Sequence, residues 1–212
     1  MYKLAVFDLD GTVLATMEDL ALAVNAARAD QGLAPQDTDY LQSLVGNGIR
    51  RVIVRCTEGG KADHERMYRF FNSYYPEHCL DNTYPYDGIT EVLTELKEAG
   101  IILAVNTNKP HEAAVKLIDT CFPGLFDIVE GQKEGLPIKP DPAVLRKIME
   151  RSGADISNTV YIGDSEVDIM TAENAGVTPV SVTWGFKTTE FLREHGAKVL
   201  ADHPSALRKI LL

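Results

Sequence analysis

The chain has 212 residues, of which 45% are hydrophobic and 25% are charged, and its formal net charge at pH 7 is −10. Such a composition supports a real hydrophobic core, and the negative charge excludes a broad attraction for nucleic acids or anionic membranes. The three cysteines, Cys56, Cys79 and Cys121, lie far apart without metal-ligand spacing, and their odd number argues against a disulfide framework. We therefore expect a cytoplasmic protein, and since no apolar stretch approaches the length of a membrane span, we expect no membrane partner.

The first predicted element is a buried strand at Leu4–Phe7, which is followed by Asp8, Asp10 and Gly11. Side chains two residues apart on a strand share a face, and Gly11 permits the sharp turn that ends the strand. Ligands of open α/β sheets bind at the carboxyl ends of the strands. Two carboxylates this close repel unless a cation lies between them or one is protonated. The alternative is an ordinary Asp-Gly turn after a strand.

Residues 15–83 are predicted to be helical, with no strand of their own. Apolar side chains at helical spacing predict helices over Met17–Gln31, Ile49–Cys56 and Met67–Tyr75. Gly59-Gly60 is expected to end the second of these helices and Pro76 the third. The aromatic residues of the third helix are expected to lie in the core.

From Tyr84 onward, predicted helices alternate with apolar strands. The strands are expected at Ile101–Val105, Asp127–Glu130, Thr159–Ile162, Pro179–Thr183 and near Val199, with helices between them and a last helix through Ile210. This alternation predicts an α/β fold with a Rossmann-like parallel sheet and helices on both faces. The first strand must join this sheet. Residues 1–14 and 84–212 are therefore expected to form the core domain and residues 15–83 an all-helical insertion.

Polar or charged residues lie at four predicted strand ends of this core. They are Asp8 and Asp10, the run Asn106-Thr107-Asn108-Lys109, Lys139 in Lys139-Pro140-Asp141, and the run Gly163-Asp164-Ser165-Glu166-Val167-Asp168. Each has a simpler explanation: Thr107 as a helix cap, Lys139 as a solvated loop lysine, and Asp164 and Asp168 as acids at a helix N-terminus. Taken together, they are the parts of a phosphoryl-transfer site. Asp8, Asp10 and Asp164 are candidate Mg²⁺ ligands, and Thr107 and Lys139 are candidate phosphate ligands.

The same motifs resemble the haloacid dehalogenase superfamily of phosphatases, over essentially the whole chain. The helical insertion resembles the cap domain of that superfamily. Val45-Gly46-Asn47-Gly48, Asn106-Thr107-Asn108-Lys109 and Val182-Thr183-Trp184-Gly185-Phe186 resemble the phosphoglycolate phosphatase-like branch. Where relatives often carry Asp-Ser, this chain has Ala15-Thr16, which places the hydrogen bonding of the cap hinge in question.

The resemblance implies a role for each core residue. Asp8 would attack phosphorus, and Asp10 would protonate the leaving alcohol and then activate water. The Asp8 carboxylate, the Asp10 main-chain carbonyl and Asp164 would hold Mg²⁺. Thr107, Asn108 and Lys139 would bind the phosphoryl group, and Asp168 would orient Lys139 or metal-bound waters. A second acid at Asp10 argues against a dehalogenase, which needs no proton for its leaving group.

In the insertion, Gly48 precedes a predicted helix whose first turn contains Arg50 and Arg51. Helix N-terminal amides and arginines bind carboxylates, so Arg50 or Arg51 is expected to recognise the leaving group, and solvent exposure of both is the alternative. The expected function is that of a Mg²⁺-dependent phosphomonoesterase for a small metabolite such as 2-phosphoglycolate, acting as a monomer or homodimer. A sugar-phosphate mutase, a pyrophosphatase and a non-catalytic regulatory protein remain alternatives.

Overall fold

The computed structural model describes residues 2–57 and 62–212. Its strands are β1 (Leu4–Phe7), β2 (Leu14–Ala15), β3 (Tyr84–Pro85), β4 (Ile102–Pro110), β5 (Ile128–Gln132), β6 (Thr159–Gly163), β7 (Thr178–Val182) and β8 (Leu200–Ala201). Its α-helices are α1 (Met17–Ala29), α2 (Thr38–Leu44), α3 (Ile49–Cys56), α4 (His64–His78), α5 (Ile89–Glu98), α6 (His111–Cys121), α7 (Ala143–Ser152), α8 (Glu166–Ala175), α9 (Thr189–Glu194) and α10 (Pro204–Leu211). Within these residues, no helix is both long and apolar enough to cross a membrane.

The main sheet has six parallel strands in the order β5-β4-β1-β6-β7-β8. Side chains of β1 alternate between two hydrophobic clusters. Ala5 and Phe7 belong to a cluster with α5, α6 and α10, whereas Leu4 and Val6 belong to one with α7 and α8. Because both faces of β1 are covered by helices, all four of its residues are buried. The α/β fold with helices on both faces is confirmed.

The inserted helices α1–α4 lie between β2 and β3 in the chain. These two strands pair antiparallel, with Leu14 opposite Pro85 and Ala15 opposite Tyr84. The prediction that residues 15–83 contain no strand residue is therefore wrong at Ala15. A two-residue strand has too few side chains to show periodicity, and only the pairing of distant segments creates it.

Several predicted boundaries differ from the structure. Pro76 lies inside α4, which continues to His78, and the Lys116 Nζ donates to the Pro76 carbonyl at 2.6 Å, which helps to hold this last turn. Helix α2 was not predicted. Strand β4 extends through Lys109 to Pro110, and its register with β5 shifts between Asn106 and Pro110. Gly59-Gly60, expected to end α3, lies outside the described residues.

Candidate active site

Buried acids gather at the carboxyl edge of the sheet. Asp8 directly follows β1 and Asp164 directly follows β6, while Asp168 lies in the first turn of α8. One carboxylate oxygen of each of these three residues lies within 4.8 Å of the other two. Since β1 and β6 are adjacent parallel strands, their carboxyl ends bring these acids together.

Asp8 is buried, and its Oδ1 accepts a hydrogen bond from the Leu9 amide at 2.7 Å and lies 2.9 Å from the Lys139 Nζ. Burial raises the pKa of Asp8 to about 7, with further increases from Asp168 and Asp10 that the Lys139 ammonium opposes. Burial also raises the pKa of Asp164 well above its ordinary value, and the carboxylates of Asp168 and Asp8 raise it further. Both shifts arise chiefly from burial, and the neighbouring carboxylates add to them.

Lys139 reaches the acids from the loop between β5 and α7, so the prediction that it ends a strand is wrong. Its Nζ lies 2.7 Å from Asp168 and 2.9 Å from Asp8, and its side chain is only 3% exposed. Burial alone would lower the pKa of Lys139, but the Asp168 and Asp8 carboxylates raise it well above its ordinary value. Lys139 is therefore a buried cation rather than a solvated loop lysine.

Asn108 anchors the Lys139 backbone from both sides. Its Oδ1 accepts from the Lys139 amide at 2.8 Å, and its Nδ2 donates to the Lys139 carbonyl at 3.1 Å. The same Nδ2 donates to the Gly46 carbonyl at 3.0 Å, which links this support to the inserted helices. Thr107, one residue earlier on β4, is buried, lines the cavity and accepts at Oγ1 from the Lys109 amide at 3.2 Å. Pro110, not Thr107, is the cap residue of α6.

Two glycines leave space for Asp164. Its Oδ2 accepts from the Phe186 amide at 2.6 Å, and the Thr12 hydroxyl donates to Oδ1 at 3.4 Å. A Cβ at Gly185 would lie 2.3 Å from the Asp164 Cβ, and a Cβ at Gly11, whose φ is +77°, would lie 2.4 Å from the Asp164 Oδ2. Neither position therefore admits a larger side chain without displacing this carboxylate.

Asp168 has two functions in the structure. Its Oδ2 accepts from the amide and the hydroxyl of Ser165, at 3.1 and 2.6 Å, and forms the capping box of α8. Its Oδ1 contacts the Lys139 Nζ at 2.7 Å. The alternative that Asp168 is a helix N-terminal acid is thus correct, and the residue orients Lys139 as well.

Asp10 lies beside the three-carboxylate cluster, and its own side chain has different partners. Its Oδ1 accepts from the Thr16 hydroxyl at 2.7 Å and lies 2.6 Å from the Lys109 Nζ. Thr16 therefore provides a hydrogen bond to the site at the position where this chain has Ala15-Thr16 and relatives often carry Asp-Ser. From the sequence, Lys109 in the run Asn106-Thr107-Asn108-Lys109 was considered only as a second cation for phosphate beside Lys139. Its burial, with 1% of the side chain exposed, and its contact with Asp10 mark it as part of the site.

The acids open into a cavity of about 60 Å³ between the sheet edge and the inserted helices. Its polar wall includes Asp8, Asp10, Thr107, Asn108, Lys109, Asp164 and Ser165. Its opposite wall is apolar and includes Met17, Leu20, Val24, Leu41, Ile49, Val52 and Phe71. The site is therefore charged where the acids meet and apolar on the side of the inserted helices.

Gly48 lines this cavity, but Arg50 and Arg51 do not. The Arg50 Nη1 contacts Glu65 at 2.5 Å and its guanidinium lies 3.7 Å from the centre of the Tyr68 ring, while Arg51 donates to the Asn47 side chain at 3.3 Å. The apolar face of α3 itself forms part of the cavity wall, so the residues between its apolar positions point elsewhere. The structure thus does not bring the two arginines to the other predicted residues.

The profile of the haloacid dehalogenase-like hydrolase family matches residues 5–182. The chain belongs to the haloacid dehalogenase-like hydrolases. One relative of this haloacid dehalogenase-like hydrolase is a phosphoglycolate phosphatase from Agrobacterium fabrum, 38% identical over 189 residues, which cover 86% of this chain and 81% of the relative. Another is an N-acetylmuramic acid 6-phosphate phosphatase from Pseudomonas aeruginosa, 33% identical over 214 residues, which cover 99% and 94%.

A solved structure from Lactobacillus delbrueckii subsp. bulgaricus, provisionally described as a phosphoglycolate phosphatase, matches this haloacid dehalogenase-like hydrolase with a TM-score of 0.93. The two are 34% identical, and the match covers 100% of this chain and 98% of the other. The chain is a hydrolase, and its relatives identify it as a phosphatase of this family.

Proposed function

We propose that this phosphatase hydrolyses the phosphate ester of a small hydroxy acid, with 2-phosphoglycolate as the best candidate, Asp8 as nucleophile and Mg²⁺ as cofactor. The observation that carries the proposal is the meeting of Asp8, Asp164, Asp168 and Lys139 beside a small cavity. The phosphoglycolate phosphatase from Agrobacterium fabrum supports the choice of substrate.

The residues present fit a divalent cation. Among the described residues, the carboxylates of Asp8, Asp164 and Asp168 cluster together, and the Lys139 ammonium contacts two of them. Burial, with a further contribution from the neighbouring carboxylates, raises the pKa values of Asp8 and Asp164, and a bound cation would oppose both effects. Mg²⁺ prefers oxygen ligands and takes few of them from the protein. Asp8, Asp164 and the Asp10 main-chain carbonyl would hold the ion, which when bound supplies positive charge to the oxygens of the transferred phosphoryl group.

The contacts of Asp8 suit a nucleophile. Its Oδ1 is held by the Leu9 amide and by Lys139, so Oδ2 is the oxygen that would attack phosphorus. As the new bond from Asp8 to phosphorus forms, the bond from phosphorus to the ester oxygen breaks, and that oxygen takes a proton from Asp10. A water then attacks the aspartyl-phosphate, Asp10 accepts its proton, and phosphate leaves.

The remaining polar residues would bind and orient. The Lys139 ammonium would hold a phosphoryl oxygen next to Asp8, and the Thr107 hydroxyl would donate to another. Asn108 would act on the phosphoryl group mainly through the Lys139 backbone that it fixes. Asp168 would keep the Lys139 side chain extended toward the acids.

The inserted helices would act as the cap. We propose residues 15–83 as the cap domain and residues 1–14 and 84–212 as the core, because the apolar wall of the cavity comes from α1–α4 while the acids come from the sheet edge. The three free cysteines are consistent with a reducing compartment such as the cytoplasm.

The Asp8→Asn variant tests this proposal. An amide cannot attack phosphorus, so we expect the variant to release no phosphate from 2-phosphoglycolate with Mg²⁺ while its circular dichroism spectrum stays unchanged. Asp119→Asn, an exposed position on α6, is the matched control and should retain full activity. Near-normal phosphate release by a homogeneous Asp8→Asn preparation would contradict the mechanism, and a wild-type protein inactive on 2-phosphoglycolate would contradict the substrate.

A further inference from the structure

The inserted helices give no positive charge to the cavity. Among the described residues of 15–83 that line it, all are uncharged. Arg50 and Arg51 lie outside, in contact with Glu65 and Asn47. An anionic group on the alcohol that leaves would therefore find no partner on this wall, and a buried carboxylate without a partner is strongly disfavoured.

Two lysines line the core side of the cavity: Lys109, which is buried, and Lys187, which is partly exposed. The Lys109 side chain is 1% exposed, lines the cavity and lies with its Nζ 2.6 Å from the Asp10 Oδ1. An ammonium has three N–H donors, and Asp10 is the one hydrogen-bond acceptor of the Lys109 Nζ among the described residues. Two donors of this buried ammonium are therefore available to a ligand.

Tyr75 of α4 lies against the same ammonium. The centre of its ring is 4.6 Å from the Lys109 Nζ, and the residue is 1% exposed. Within the described part of the chain, its buried hydroxyl has no hydrogen-bond partner. Burial, with a further contribution from the Asp10 carboxylate, raises the pKa of Tyr75 well above its ordinary value, so the phenol keeps its proton and can donate. A buried hydroxyl without a hydrogen-bond partner destabilises the protein, and a hydrogen bond to a ligand oxygen would remove this cost.

The position of Asp10 connects these groups to the leaving alcohol. If Asp10 protonates the ester oxygen, that oxygen must contact the Asp10 carboxylate, which Lys109 also contacts. In 2-phosphoglycolate a single methylene separates the ester oxygen from the carboxylate. We propose that Lys109 and Tyr75 form the specificity subsite that binds the carboxylate of the leaving hydroxy acid. This inference rests on the proposed function, since it requires a small phosphorylated hydroxy acid as substrate.

The subsite also accounts for selectivity. A neutral alcohol would leave the two free donors of Lys109 and the hydroxyl of Tyr75 buried without an acceptor. Sites that hydrogen-bond a substrate group discriminate strongly against analogues that lack the group, because their own polar atoms then stay unpaired. Phosphate esters of small neutral alcohols are therefore poor substrates.

The experiment compares kcat/KM, with Mg²⁺ present, for 2-phosphoglycolate and for isobutyl phosphate, whose neutral leaving alcohol has two methyl groups in place of the carboxylate oxygens and no hydrogen-bond acceptor there. Tyr75→Phe removes only the hydroxyl, and we expect kcat/KM for the carboxylate ester to fall about 10-fold while that for isobutyl phosphate changes by less than about 2-fold. Lys109→Met also removes the partner of Asp10, so we expect kcat/KM to fall for both substrates. The decrease should be about 100-fold greater for the carboxylate ester. Tyr74→Phe, in the adjacent and partly exposed position of α4, is the matched control. It should leave the ratio of the two kcat/KM values, carboxylate ester over neutral ester, unchanged.

Each other result overturns the subsite. An unchanged ratio in Tyr75→Phe, or equal losses on both esters in Lys109→Met, would reduce Lys109 to a residue that only positions Asp10. A lower ratio in Arg50→Ala would assign carboxylate recognition to α3 instead. A wild-type enzyme that hydrolyses both esters equally well would overturn the subsite but leave the phosphatase mechanism intact, whereas one that hydrolyses neither would overturn the proposed function as well.

Discussion

At the scale of single residues, the active site depends on side chains that hold other side chains. Asn108 contacts the amide and the carbonyl of Lys139, 31 positions away, and also the Gly46 carbonyl. Lys139 lies in a loop without regular hydrogen bonding of its own, so these contacts determine where its ammonium lies. A lysine has a long and flexible side chain, so a fixed backbone helps to position its ammonium for binding phosphate.

The Asn108→Ala variant isolates this support. We expect kcat/KM for 2-phosphoglycolate to fall by ~1.5–3 kcal/mol, about 10- to 150-fold, because the hydrogen bonds that position a charged group are lost. Mg²⁺ affinity, measured by calorimetry, should stay unchanged, since within the described part of the chain the Asn108 side chain forms hydrogen bonds only with main-chain atoms.

Asn106→Ala is the matched control for that prediction. Asn106 is also buried on β4, but its Nδ2 has no hydrogen-bond partner among the described residues. We expect its kcat/KM to stay within about 3-fold of the wild type, because no hydrogen bond to the site is lost. Full activity of Asn108→Ala would show that Lys139 is held without its help.

At the scale of elements, the two passages of the chain between the sheet and the inserted helices are tied together. Strands β2 and β3 pair there, and Asp19 of α1 accepts from the amide and side chain of Asn82 and from the hydroxyl of Thr83, at 2.8 to 3.0 Å. Asp19 is 1% exposed, whereas its partners Asn82 and Thr83 are partly exposed. They fix the start of α1 against the chain that leaves α4.

Replacing Asp19 tests how much this tie contributes. In Asp19→Ala, the amide of Asn82 and its neighbours lose their acceptor in a buried position, and we expect the free energy of unfolding to fall by about 3 kcal/mol. Urea denaturation followed by circular dichroism measures this change. Glu18→Ala, the adjacent exposed position, should change the free energy of unfolding by less than about 0.5 kcal/mol. Equal effects of the two variants would show that the tie is unimportant for stability.

At the scale of the whole molecule, the site contains more buried negative charge than the protein itself compensates. One carboxylate oxygen each of Asp8, Asp164 and Asp168 lies within 4.8 Å of the others, and among residues 2–57 and 62–212 the ammonium in contact with Asp8 and Asp168 is that of Lys139. Excess buried charge destabilises the folded state, so a bound cation should stabilise the entire fold.

Metal binding should therefore appear as a shift in thermal stability. A ligand at 100 times its Kd adds ~2.7 kcal/mol, which for a chain of this size raises Tm by about 5–10 °C. We expect chelation to abolish phosphate release, Mg²⁺ to restore it, and Mg²⁺ to raise the Tm of the chelated protein by this amount. The increment should disappear in Asp164→Asn. Activity that survives exhaustive chelation would contradict the metal site.

The sequence by itself determined the features that depend on near neighbours along the chain. Buried parallel strands are short, continuous apolar runs, so Leu4–Phe7 was predicted at its observed bounds, and Asp8 and Asp164 were each predicted at the end of a strand. That these two strands are neighbours in the sheet was decided by the tertiary structure. The amphipathic spacing of Ile49–Cys56 likewise reproduced α3 at its observed bounds, because one face of a helix repeats every three to four residues.

Only the tertiary structure decided where side chains from distant segments meet. Lys139 lies in the site because Asn108 fixes its loop. Arg50 lies outside the site, where it contacts Glu65 and Tyr68. Lys109 is buried because Asp10 and Tyr75 surround it. A lysine or arginine has the same local pattern whether it is solvated or buried. Its position follows from charges and rings far away in the chain, and these contacts exist only once the sheet and the inserted helices have packed together.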